Sequence, residues 1–182
     1  MCSSDLLVPM EAPRSSLLAV AVPGIPQATT KDDVPALISP ALNALVWPDR
    51  AVGVAQGDII VIARKLVAIC EGRLVKEGTA KEDALSEGNS PRGISVLPPE
   101  DPRTSAREIR RGLDARFGGR PGVIITGPGE LLSAAGIDST IGSADLRRSL
   151  AATAEVLMNA YPDHPVVAIR GLGHLLTYED QD

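Results

Sequence analysis

Four stretches of this chain are aliphatic on nearly every residue, and helix-spaced segments separate them: LLAVAV at 17–22, DIIVIA at 58–63, GVIIT at 122–126 and PVVAIRG at 165–171. A strand that is apolar on both of its alternating faces needs cover on both sides. The pattern therefore predicts an α/β class, an aliphatic sheet covered by helices, with a mixed α+β arrangement as the other form open to it. From Val34 the apolar residues fall at Val34, Leu37, Ile38, Ala41, Leu42 and Leu45, the spacing of a helix with one buried stripe. Thr30 reads as its cap and Asp33 as a first-turn residue that suits the positive end of the helix dipole. Pro40 lacks the N–H a helix needs, so a kink or an early stop is expected there. Ser105 and Glu108 have the spacing of a capping box, opening a helix with Ala106, Ile109, Leu113 and Phe117 on one side and Gly118-Gly119 at its end. A last helix is predicted from about Ala144 to Ala160, stopped by Pro162 to Pro165. No internal repeat is found.

The interior must be built from Leu, Ile, Val and Ala, because hydrophobic residues make up 44% of the chain but aromatic ones only 2%. That scarcity argues against base stacking, and a balance of 18 basic to 23 acidic residues argues against nucleic acid or a membrane surface as main partner. No apolar run approaches the roughly 20 residues that span a bilayer, and no secretory pattern opens the sequence. Two cysteines, Cys2 and Cys70, make no disulfide framework and have no metal-site spacing with histidine, which fits a reducing cytoplasm. At 182 residues the chain suits one domain, expected over 15–182 with a polar loop at 76–93, KEGTAKEDALSEGNSPRG. The opening MCSSDL, back-translated with a GTG start, resembles a sequencing adapter read as protein, so 1–14 is expected to be a non-native or disordered leader.

After the strand at 58–63 come two cations, Arg64 and Lys65, and then LVAICEGRLV. Together with GIPQATTKDDVPALI (24–38), LPPEDPRTSAREIRRGL (97–113) and PVVAIRGLG (165–173), this string resembles the coenzyme F420-0:γ-glutamyl ligase family. The resemblance implies that family's fold with internal deletions. It further implies GTP-dependent addition of L-glutamate to F420-0, a divalent ion (Mg²⁺ or Mn²⁺) and an intertwined homodimer. Carried over position by position, it places the first nucleotide loop at Gly24, Ile25, Pro26 and Gln27, and the second nucleotide segment at Arg64, Lys65, Glu71 and Arg73.

The same carry-over exposes departures. Ala68 and Ile69 stand where the family has Ser and Lys, and losing one charge-assisted phosphate contact weakens binding by about 1.5–3 kcal/mol. Gly127-Pro128-Gly129-Glu130 follows the GVIIT strand where the family has Asp-Thr-x-Gly-Arg. The AG-[VI]-D-x-SN segment is missing before LPPEDP; AAGIDSTIG at 134–142 is its nearest likeness, making Asp138 the one metal-ligand candidate, with Glu130, Glu100 and Asp101 as helpers. No catalytic residue is assigned. Phosphoryl activation of a carboxylate depends on metal ions with several oxygen ligands, so the donor set is thin.

Read without the family, Glu71 and Arg73 form a surface pair, Lys65 is a solvated strand-end charge, Asp138 is a turn or cap residue, and His164 and His174 are loop residues. Cys70 is a small buried side chain and Trp47 a packing anchor. Three functions stay open: a reduced but working ligase, a catalytically silent or truncated relative serving as a fold or dimerisation module, and an unrelated small α/β binding domain. Strand edges left by a lost insert would favour association.

Overall fold

The computed structural model describes residues 15–76, 94–138, 140 and 145–177, so the leader and most of the polar loop lie outside the described residues. The chain runs β1 (Leu18–Ala21), α1 (Val34–Asn43), β2 (Ile59–Ala63), α2 (Arg64–Cys70), β3 (Leu74–Lys76), β4 (Ile94–Val96), α3 (Pro102–Phe117), β5 (Gly122–Gly127), β6 (Glu130–Ala135), α4 (Leu146–Ala160), β7 (Val166–Arg170) and a short 3₁₀ turn, Gly173–Leu175. Five strands form one mixed sheet in the order β1-β7-β2-β5-β6, while β3 and β4 pair apart from it. Only β2 and β5 are parallel; the other pairings in the large sheet are antiparallel.

Both faces of that sheet are covered, which explains the unbroken aliphatic runs. Ile60, Ile62, Val123, Ile125, Val166 and Ala168 point into one core with Ile38 and Leu42 of α1, Leu66 of α2, and Ile109 and Leu113 of α3. Their neighbours Ile59, Val61, Ile124, Val167 and Ile169 point the other way, against Leu150, Ala151 and Ala154 of α4. Alternation by strand pleat thus divides each run between two cores.

Several local expectations need correcting. Asp33 is the N-cap of α1, its carboxylate accepting from the Ala36 N–H, so the cap is Asp33 and not Thr30. Pro40 does not stop the helix, which runs on to Asn43. Ile38 and Leu42 are completely buried and Leu45 is 1% exposed. Sealing these three stabilises by about 1.5–3 kcal/mol each, enough to offset the ~3 kcal/mol of an interior proline. Helix α3 begins earlier than the Ser105–Glu108 box: Asp101 caps it through the N–H groups of Arg103 and Thr104, and Pro102 occupies the first turn, where no N–H is missed. Its end is as expected, with Gly118 left-handed. The segment after Ala63 winds straight into α2, and β6 forms a hairpin with β5; neither element is among those predicted. No helix among the described residues is long and apolar enough to cross a membrane.

Candidate functional site

The directions of the strands fix where a cleft can open. Val22 donates to the Val166 carbonyl and Ala63 to that of Pro165, at 2.9 and 2.8 Å, while Ala63 lies beside Thr126 across the parallel pair. The carboxyl ends of β1, β2 and β5 therefore share one edge of the sheet with the start of β7. In open sheets with parallel neighbours this is where ligands bind, because the chain leaves adjacent strands in different directions.

A cleft of about 760 Å³ lies there. One wall is the loop Ile25-Pro26-Gln27, another is Arg64-Lys65 with Ile69, and the far side comes from Thr126, Glu155 and the turn through His164. Two segments 37 or more residues apart in sequence, the first-loop candidates Ile25, Pro26 and Gln27 and the cation pair Arg64 and Lys65, are thus brought together. Gly24 precedes that wall with φ +79°, a left-handed turn that suits glycine.

Arg64 lies across Gly127: a Cβ on that glycine would stand 2.4 Å from the arginine Cδ and 2.5 Å from Nε. Its terminal nitrogen meets exposed Glu130 at 3.5 Å, and its buried Nε has no hydrogen-bond partner among the described residues. His164 Nδ1 is the same kind of atom on the opposite wall. Buried polar atoms are nearly always bonded, so two such atoms in one cleft point to a polar occupant.

Other candidates are placed elsewhere. Glu71 accepts from the Ser105 hydroxyl, and Arg73 Nε donates to the Pro98 carbonyl at 3.0 Å, so the Glu-Gly-Arg corner ties α2 to the start of α3. Neither residue lines the cleft. Ala68 is fully buried against Val96, and Ile69 turns an aliphatic wall to the cleft at the position of the family's lysine.

The carboxylates do not assemble. Asp138 follows β6, which leaves the cleft at Glu130 and runs six residues, roughly 17 Å, toward the other end of the sheet. There its carboxylate accepts from the hydroxyl and N–H of Thr140, at 2.7 and 2.8 Å, and the hydroxyl bond foremost holds its pKa below the usual range. Asp101 is occupied as a helix cap, and Glu130 faces Arg64. No group of three His, Cys, Asp or Glu able to hold a metal exists among the described residues. These donors do not fit a divalent site, which needs several oxygens converging on one point.

The sequence reading missed Glu155. From α4 it accepts from the Thr126 hydroxyl at 3.0 Å and from the Gly129 N–H at 3.1 Å, gripping the β5–β6 turn where the family's Asp-Thr-x-Gly-Arg would fall. It also missed His164 and Asp163, which line the cleft from the approach to β7. Nothing local in α4 marks Glu155; only the fold places it beside the turn. The surroundings of Cys70 disfavour its thiolate: burial, then the nearby Asp32, Asp33 and Glu71 carboxylates, push its thiol up to about 11.

The family model described as F420-0:Gamma-glutamyl ligase matches residues 79–161. That span holds α3, the β5–β6 hairpin, Asp138 and α4; the loop at 24–27 and the Arg64-Lys65 pair lie before it.

Proposed function

We propose, for a chain whose residues 79–161 match the F420-0:gamma-glutamyl ligase family model, that the cleft at the carboxyl ends of β1, β2 and β5 binds the phosphates of GTP. We further propose that the described residues do so without assembling the metal site that glutamate transfer to F420-0 requires. The observation that carries this reading is the convergence of Ile25-Pro26-Gln27 with Arg64 and Lys65 around a buried Arg64 Nε that lacks a partner.

The roles follow from the side chains. Arg64 presents a planar guanidinium, suited to two phosphate oxygens at once, and Lys65 supplies a compact positive charge beside it. The loop at 25–27 closes the near wall. Exposed Glu130 is a weak partner that a phosphate displaces, since a surface ion pair contributes at most about 1 kcal/mol. Ile69 and Gly127 stand where a further cation and a carboxylate are expected, so the cleft is equipped to bind phosphates more than to activate them. Glutamate and F420-0 enter this reading only as the family's substrates.

Thermal unfolding with saturating GTP or GDP, each with and without Mn²⁺, tests it. At 100 times the dissociation constant, ligand adds about 2.7 kcal/mol, several degrees for a domain of this size. An upward shift that Lys65→Ala removes and Mn²⁺ leaves unchanged is expected. A shift that appears only with Mn²⁺ would favour the working ligase, and no shift in a cooperatively melting protein would leave the cleft a remnant.

A further inference from the structure

The sheet sets the two unbonded nitrogens of the cleft, Arg64 Nε and His164 Nδ1, opposite each other. Strands β2 and β7 run antiparallel with Ile62 beside Val166, and the Ala63 N–H donates to the Pro165 carbonyl at 2.8 Å. One step further along both segments stand Arg64 and His164. Matched positions of an antiparallel pair lie about 5 Å apart at Cα and send their side chains to the same side. The ladder itself ends there, because α2 begins at Arg64, yet both residues line the one cleft.

Three local features hold the imidazole in place. Pro165 disfavours helical backbone at the residue before it. The His164 N–H donates to the Tyr161 carbonyl at 2.9 Å, which closes the turn after α4. The Tyr161 ring meets the imidazole edge to face, with centroids 5.8 Å apart. The ring is thus positioned before any ligand arrives, and a buried nitrogen that is positioned but unbonded is one that a ligand completes. The carboxylates on that wall do not complete it: Glu155 accepts from the Thr126 hydroxyl and the Gly129 N–H, and Asp163 is exposed.

We propose that His164 is a phosphate-binding residue of this cleft, its Nδ1 donating to an oxygen of the polyphosphate that Arg64 and Lys65 hold from the opposite wall. This inference rests on the reading of the cleft as a nucleotide site and adds to it a contact outside the cation pair. An imidazole donates from Nδ1 both as the neutral tautomer with its proton there and as the imidazolium, and phosphate oxygens take such donors. A phosphate seated between the two walls satisfies Arg64 Nε and His164 Nδ1 at once.

The test is titration calorimetry of the whole chain with GTP and, separately, with inorganic tripolyphosphate, at constant pH and ionic strength. Both probes are expected to bind. His164→Ala should weaken the two by the same factor, about tenfold, while the free variant melts close to wild type. His164→Asn, which puts an amide nitrogen where Nδ1 stands, should restore most of the affinity. Binding of GTP without tripolyphosphate, or a loss confined to GTP, overturns the proposal, since the ring would then meet base or ribose. An equal loss in the alanine and asparagine variants also overturns it, because ring packing on Tyr161 would then be what the site needs. Binding that Lys65→Ala weakens and His164→Ala leaves intact overturns this contact alone and leaves the nucleotide reading standing, whereas binding of neither probe overturns both.

Discussion

Arg170 grips Asp58 with two parallel hydrogen bonds, Nε to one carboxylate oxygen at 2.8 Å and a terminal nitrogen to the other at 2.7 Å. Asp58 is 1% exposed, and its second oxygen also accepts from the Ala55 N–H, so the carboxylate fastens the turn before β2 to the end of β7. The same guanidinium lies 4.0 Å from the centroid of the Trp47 ring and donates to the Gly53 carbonyl. Removing one member of a buried pair strands the other in a poor solvent. Asp58→Ala should therefore cost about 3–5 kcal/mol in urea unfolding followed by Trp47 fluorescence. A loss below about 1 kcal/mol would mean that the pair is no clasp.

Gly136 sits with φ +73°, and a Cβ there would fall 2.2 Å from Arg110 Nε and 2.5 Å from its Cζ. Alanine would meet both penalties, the left-handed backbone cost of about 1–2 kcal/mol and the displacement of a buried guanidinium from the Pro121 and Thr177 carbonyls. Gly136→Ala should lose roughly 2–4 kcal/mol in denaturant unfolding. Wild-type stability in this variant would show that Arg110 moves aside freely.

These two positions mark what the sequence could and could not reveal. The aliphatic runs were readable as covered strands because both faces of each are buried, and the Leu146, Leu150, Ala154 stripe showed the α4 face because burial follows helical spacing there. The cations Arg64 and Lys65 were findable because they directly follow a strand, at the edge where clefts form. The pairing of Asp58 with Arg170 was not findable, since 112 residues separate them and neither stands in a periodic pattern. Helix α2 was hidden by its shortness: seven residues carry less than two turns of periodicity and no side-chain cap. Strand β6 was hidden by Ser133 and its alanines, which give it no β-branched character. Asp138 looked like a metal ligand because a short local likeness carries no information about which end of the sheet it occupies.

Cys70 makes a pH prediction with a definite sign. Its thiol is raised from 9.0 to about 11, chiefly by burial, so the folded state holds a proton that the unfolded chain releases first. The associated stability is fully present below about pH 9 and is lost as pH rises toward 11. At pH 8 the native thiol should react with iodoacetamide about 100-fold more slowly than a model cysteine peptide, as its smaller thiolate fraction dictates, read by peptide mapping at Cys70. Reaction at the peptide's rate would show a thiol open to water.

Gly127 joins the cleft proposed for the nucleotide to the hairpin that Glu155 grips. Its backbone is extended, so alanine brings no dihedral strain, and the conflict is only with Arg64, whose Cδ, Nε and Cζ would lie 2.4, 2.5 and 2.8 Å from the new methyl group. A long side chain can swing away from such a contact, which should hold the stability loss of Gly127→Ala to about 1 kcal/mol. The swing would carry the guanidinium off the cleft wall and away from Glu130, removing the phosphate contact proposed for it while leaving Lys65 in place. The expected result is a folded variant in which GTP binding measured by calorimetry is weakened about tenfold or more, the equivalent of losing one charge-assisted bond. Undiminished GTP binding in a variant of near-native stability would show that the position of Arg64 over Gly127 is incidental to the nucleotide.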